Sequence, residues 1–199
     1  MELLLKSLKE YFDYLGKHDI LMDQLIKTTA KPIDSLKSLA EQHRSVSKAE
    51  LGTLPIARIS GIKENLLFKI ENAMDEEVVD IQNIIEDCKA KNLALDKKRA
   101  NVMKCLEKMG DLRKIEDRNP LCCGTPRYPS VLEMVEWVDD CSAFYNALHL
   151  KFSTIIMLIQ SEDDKRVASE LSKNYLHSED RELFIARVLA MTKKFVDDS

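Results

Sequence analysis

A single helix has to run from about Ile62 to Met109 of this chain. Met74, Val78, Ile81, Ile85 and Cys88 recur at alternating four- and three-residue steps, and Leu95, Val102, Leu106 and Met109 continue the register. A helix of that length projects from any small globule unless another helix lies beside it, and its spacing is that of a coiled-coil seam. Asn92 and Arg99 interrupt the seam. They either fix register and partner choice, as polar seam residues do, or mark a bend or an exposed end. Gly110 follows in the position that ends helices.

The flanking segments repeat the helical pattern. Leu4, Leu8, Tyr11, Leu15, Met22 and Leu25 share one face of a first helix over about Glu2–Thr28, with His18 in the same series. Pro32 lacks a backbone donor, so the helix should restart or kink there, and Ile33, Leu36, Leu39 and Ala40 resume an apolar face. Gly52, Pro55 and Gly61 punctuate a connection over residues 45–61. After Pro129, Ser130 and Glu133 form a capping box. Val131, Met134, Val138, Cys141, Tyr145, Leu148, Phe152, Ile155 and Ile159 then keep three- and four-residue steps, and Trp137, Phe144 and Leu158 widen the stripe. So wide a stripe needs two or more neighbouring helices. The segment "SEDDKR" should open a short fourth helix with acids in its first turn. Ser178 should cap a fifth, burying Leu183, Val188, Leu189 and Phe195.

No long window alternates like a strand, and five Gly and five Pro in 199 residues leave little loop. The expected fold is all-α, with long antiparallel helices in a coiled-coil-like bundle and short C-terminal helices. Residues 1–110 form an N-terminal long-helix region, 111–129 a linker containing prolines and cysteines, and 130–199 a C-terminal helical region. The net charge of −4, spread along the chain, argues against direct nucleic-acid binding, which draws its affinity from phosphate neutralisation. The longest apolar run, Ile155 to Ile159, is too short for a membrane span. With no secretory leader pattern and five cysteines in no regular framework, the expectation is an intracellular protein with reduced thiols.

No pattern points to catalytic, cofactor-binding or metal-binding residues. Cys122 and Cys123 are adjacent rather than spaced as C-x-x-C, and no His or further Cys lies within ten residues of them. "CCGTPRYP" reads instead as a stiff joint that delivers the chain to the Ser130 cap. Cys88, Cys105 and Cys141 fall on or beside apolar stripes and read as small core residues. His18, His43, His149 and His177 are scattered, without the i,i+4 pairing of a helical zinc site. Carboxylate pairs such as Glu76–Glu77, Asp139–Asp140 and Asp163–Asp164 are ordinary on solvated helix faces. Trp137 is either a partner anchor or a filler of the core, and its place beside the seam favours the core. No Glu is followed three residues later by His, which removes a carboxylate-bridged metal enzyme built on a bundle.

The segment "YPSVLEMVEWVDDCSAFYNALHLKFSTIIMLIQ" resembles the small helical ribosome-maturation factors that interact with AAA-type ATPases. Pro129, Ser130 and Val131 match a "PSV"; Met134, Glu136 and Trp137 match an "MxEW"; Tyr145, Leu150 and Lys151 follow in place. "LKSLAEQ" at Leu36–Gln42 and the acidic-ended "SEDRELFIARVLAMTKKFVDD" are similar to the family's first-helix ending and C-terminal helix. The segment departs from the family pattern in being less basic, with Lys151 alone in "SAFYNALHLKFS". The resemblance implies a non-catalytic adaptor with no cofactor. It would pair with a second small helical subunit on an AAA-type ATPase hexamer and meet the pre-ribosomal particle indirectly, during maturation of the large subunit. It implies a cytoplasmic location, with the nucleus left open, and an ATPase contact on the third or fifth helix. The alternative is a structural coiled-coil component of a cytoskeletal or kinetochore-type assembly.

Overall fold

The computed structural model describes residues 1–49, 61–109, 124, 128–160 and 179–197. Four helices make up almost all of these: α1 Glu2–Lys48, α2 Ile62–Met109, α3 Val131–Gln160 and α4 Glu179–Asp197. The fold is all-α, and no strand occurs among the described residues. The Gly110 stop, the Cys122–Cys123 joint, the "SEDDKR" helix and the Ser178 cap lie outside the described residues, as do the side chains of Ile155, Leu158 and Ile159.

α1 and α2 form one antiparallel hairpin, each about 70 Å long at 1.5 Å per residue. Cross-contacts run down its full length. Ser7 Oγ lies 3.3 Å from Cys105 Sγ, Met22 meets Cys88, Ser35 Oγ donates to Glu77 (2.6 Å), and His43 pairs with Glu71 (3.1 Å). At the far end Lys63 Nζ donates to the carbonyls of Ser47 (2.8 Å) and Ala49 (3.1 Å), satisfying acceptors that the end of α1 leaves open.

α1 runs 20 residues past the boundary expected at Thr28, continuing as one helix through Pro32. Proline there removes one backbone hydrogen bond. Tertiary burial outweighs that loss, because Pro32, Ile33 and Leu36 are buried, and Ile33 and Leu36 pack with Ile81 of α2. Thr28 and Thr29 send their hydroxyls back to the carbonyls of Gln24 and Leu25 just before the proline. The continuous α1 supplies the neighbour that the length of α2 demands.

α3 lies parallel to α1 and antiparallel to α2 along one half of the hairpin. The Tyr11 hydroxyl donates to the Val138 carbonyl (2.9 Å), and the Tyr145 hydroxyl donates to Asp19 (2.7 Å). On the α2 side, Arg99 Nε donates to Asp139 (2.6 Å) and Asn146 donates to Asp96 (3.1 Å). α4 returns antiparallel to α1, with Leu189 against Gly16 and Phe195 under the Lys9 ammonium. α1 therefore touches all three other helices. The main core gathers residues of all four helices, including Leu8, Phe12, Leu15, Leu95, Val102, Val138, Phe152 and Val188. Beyond it the hairpin continues as a two-helix arm with a small cluster of Ile33, Leu36 and Ile81 and a further buried residue, Ile70 of α2.

The capping box is in place: Glu133 N–H donates to Ser130 Oγ (3.1 Å), and Ser130 N–H donates to the Glu133 carboxylate (2.9 Å). Gly124 approaches this cap with φ of 74°, and a Cβ there would sit 3.0 Å from the Ser130 nitrogen. A glycine is required at that point for both reasons.

Candidate interaction surface

Asn92 and Arg99 are accounted for by α3. Asn92 is buried on the α2 seam and donates from Nδ2 to the Tyr145 carbonyl (2.8 Å), while Arg99 stays half-exposed and pairs with Asp139. Both residues bind α3 along α2, as polar seam residues that fix register do, although Arg99 is also exposed. Asp139 also holds the Arg99 guanidinium above its ordinary pKa, mainly by accepting its hydrogen bond.

His18 sits at the same level, fully buried between Tyr14, whose ring stacks on it, and Tyr145, whose ring meets it edge-on at 4.5 Å. Neither ring nitrogen has a hydrogen-bond partner, and Asn92 Oδ1 is likewise unpartnered. Burial lowers the His18 pKa from 6.5 to about 4; Asn92 acts in the opposite direction without offsetting it. Burial also raises the hydroxyl pKa values of Tyr11 and Tyr145. The same cause pushes the Cys88 thiol up to about 11 and the Cys141 thiol to about 12. A reactive cysteine needs its pKa lowered, so these two are packing residues. The cluster is a neutral polar joint between α1, α2 and α3. Among the described residues no group of His, Cys, Asp or Glu is arranged to hold a metal ion, and no helix is long and apolar enough to cross a membrane.

The outer face of α3 and α4 is different. Trp137 is half-buried against the main core and fills space there. Leu150 and Met157 on α3 and Leu183 on α4 are about two-thirds exposed or more, at 66%, 71% and 67%. Leu183 was expected inside. Helical phase explains the difference: Ile185, Val188, Thr192 and Phe195 face the bundle, and Leu183 falls outside that stripe while Phe184 beside it is half-buried. Between the two helices lies an open groove of about 470 Å³ lined by Asp140, Ala143, Phe144, Ala147 and Phe184. The adjacent acids of the Asp139–Asp140 pair thus part company, one facing α2 and its arginine, the other facing this groove. Sequence reasoning passed over Ala143, Ala147 and Phe184. A pair of alanines four residues apart on an otherwise bulky stripe was the available signal.

A protein-family model described as "CA109-like: Ribosome biogenesis protein C1orf109-like" matches residues 2–193. The chain belongs to that family. The match spans all four helices, so the arm, the bundle and the α3–α4 face are one family unit and not an appended domain. It places the chain among ribosome biogenesis factors, as the resemblance of the Tyr128–Gln160 segment implied. No curated protein matches the chain significantly.

Proposed function

We propose that this ribosome biogenesis factor is a non-catalytic adaptor of an AAA-type ATPase complex acting in maturation of the large ribosomal subunit. It pairs with a second small helical subunit, contacts the pre-ribosomal particle through the assembly, and works in the cytoplasm, with the nucleus a further site. Direct nucleic-acid contact is not part of this reading, since the charge is net negative. The observation that carries it is the exposure of Leu150, Met157 and Leu183 on α3 and α4. Large apolar side chains held in water on a regular scaffold are what a protein partner covers. The structural coiled-coil alternative draws support from the arm, but a simple rod has no need for α3 and α4 to fold back on α1.

The test changes Leu150 and Leu183 to Ser, singly and together, in the full chain. Helicity by circular dichroism should be unchanged, while co-purification of an AAA-type ATPase and of large-subunit precursors from the native source falls at least tenfold in the double variant. Undiminished capture by a folded double variant would remove the α3–α4 face from the contact. Absence of any AAA-type ATPase from the wild-type eluate would remove the adaptor reading itself.

A further inference from the structure

We propose that the groove between α3 and α4 is the seat for one arginine side chain of the protein partner, held by Asp140 and by the rings of Phe144 and Phe184. The inference rests on the adaptor reading for the existence of the partner, and adds the chemistry by which that face recognises it.

Asp140 is exposed and, among the described residues, has no ion-pair or hydrogen-bond partner, although Asp139 next to it is bound to Arg99 at 2.6 Å. Phe144 and Phe184 supply two aromatic walls from opposite helices. Phe144 is held by its edge-on contact with Tyr145, ring centres 5.0 Å apart, so that wall is preset. Ala143 and Ala147, one helical turn apart, keep the α3 side shallow enough for an incoming chain to reach the rings.

An acid beside two aromatic rings and an apolar floor selects for a particular ligand. A simple apolar side chain would leave the carboxylate without a counter-charge. A simple anion would be repelled by it. A guanidinium satisfies all three features, because it donates paired hydrogen bonds to a carboxylate, stacks on aromatic faces and trails an apolar stem. The fold already uses this chemistry once, at the other end of α4, where the Lys9 ammonium lies 5.3 Å from the Phe195 ring centre. Phe184 has no such cation among the described residues. The volume, about 470 Å³, exceeds one side chain and leaves room for the residues that flank the arginine.

The experiment uses the full chain labelled at Ala methyl and Phe ring positions, titrated with the blocked pentapeptide acetyl-Ala-Ala-Arg-Ala-Ala-amide and read by nuclear magnetic resonance. The expected result is saturable shifts at Ala143, Ala147 and Phe184, weakened at least fivefold in Asp140→Asn. The same peptide with norleucine in place of arginine should give no saturable shift. An Ala147→Leu variant, filling the groove from a half-buried position, should also lose the response while its remaining spectrum stays that of the folded protein. The proposal is overturned if the arginine peptide produces no saturable shift at these residues. It is equally overturned if Asp140→Asn or the norleucine peptide leaves the response unchanged. Because no ATPase is present, failure here leaves the adaptor reading standing, and failure of ATPase capture leaves this result intact.

Discussion

At the scale of single residues, local geometry and burial decide outcomes that residue type alone does not. Gly16 sits inside α1, where an added Cβ would meet Leu189 Cδ2 at an ordinary 3.8 Å. Gly16→Ala should therefore raise stability by about 0.5–1 kcal/mol, the usual gain for removing glycine from a helix interior. Gly124→Ala should lower stability, since its φ is 74° and the new methyl would press on Ser130. Urea midpoints of the two variants should move in opposite directions; a matching shift would show that one of the two backbone readings is wrong. His18 makes a second case. Its pKa is about 4 in the folded chain and about 6.5 when unfolded, so between those values the unfolded state binds more protons and stability falls as pH falls. The stabilisation is complete above pH 6.5 and gone below 4, a loss on the order of 3 kcal/mol. Burial lowers the His149 pKa too, with the same sign. Unfolding followed between pH 6.5 and 5, above the main titration of carboxylates, should be steeper for the wild type than for His18→Leu. Parallel slopes would mean that His18 is hydrated in the folded chain.

At the scale of helices, α3 holds the bundle together, and its two faces should respond differently to mutation. Phe152 is buried in the main core, so Phe152→Ala should cost about 3–5 kcal/mol. Asp139 is exposed but paired with Arg99, so Asp139→Ala should cost no more than about 1 kcal/mol. Chemical denaturation followed by circular dichroism separates the two; equal losses would show that the α2–α3 ion pair matters as much as the core. The seam of α3 was readable in advance because period alone places Val131, Met134, Val138, Cys141, Tyr145, Leu148 and Phe152 inside, and all are buried. The course and start of α2 were readable for the same reason, helped by Gly61. The end of α1 was not, because a proline in sequence looks like a stop, and only the presence of α2 alongside shows what burial of Pro32, Ile33 and Leu36 returns. Nor could the sequence decide between the two readings of Asn92, since that depends on the Tyr145 carbonyl lying opposite it. The groove was least legible of all: it is a relation between Asp140, Phe144 and Phe184 on helices whose separation no periodicity encodes.

For the whole molecule, what matters is the uneven distribution of the core. Twenty buried apolar residues from four helices form the main cluster among the described residues, whereas the arm has four, Ile33 and Leu36 of α1 and Ile70 and Ile81 of α2. Helices of this kind draw most of their stability from packing of an amphipathic face rather than from intrinsic propensity. A two-helix stretch buries each helix on one side only, so the far half of the hairpin must open at lower free energy than the bundle to which it is joined. Its polar cross-links are few: Ser35 Oγ donates to Glu77 in a part-buried contact, the largely exposed His43–Glu71 pair contributes little, and Lys63 caps only the last carbonyls of α1. Phe68, 62% exposed near the end of the arm, adds surface without adding core. Hydrogen exchange should therefore divide the two long helices in mid-course, although each is continuous. Backbone amides around Leu36 and Ile70 should exchange through local opening at least tenfold faster than those around Leu8 and Val102. A partner that grips the arm would slow the first group and leave the second unchanged, whereas one that binds only α3 and α4 would leave the arm as it is in the isolated chain. Uniform protection along α1 and α2 in the isolated chain would mean that the hairpin unfolds as one unit with the bundle, and that the few buried residues of the arm are enough to couple its stability to the rest.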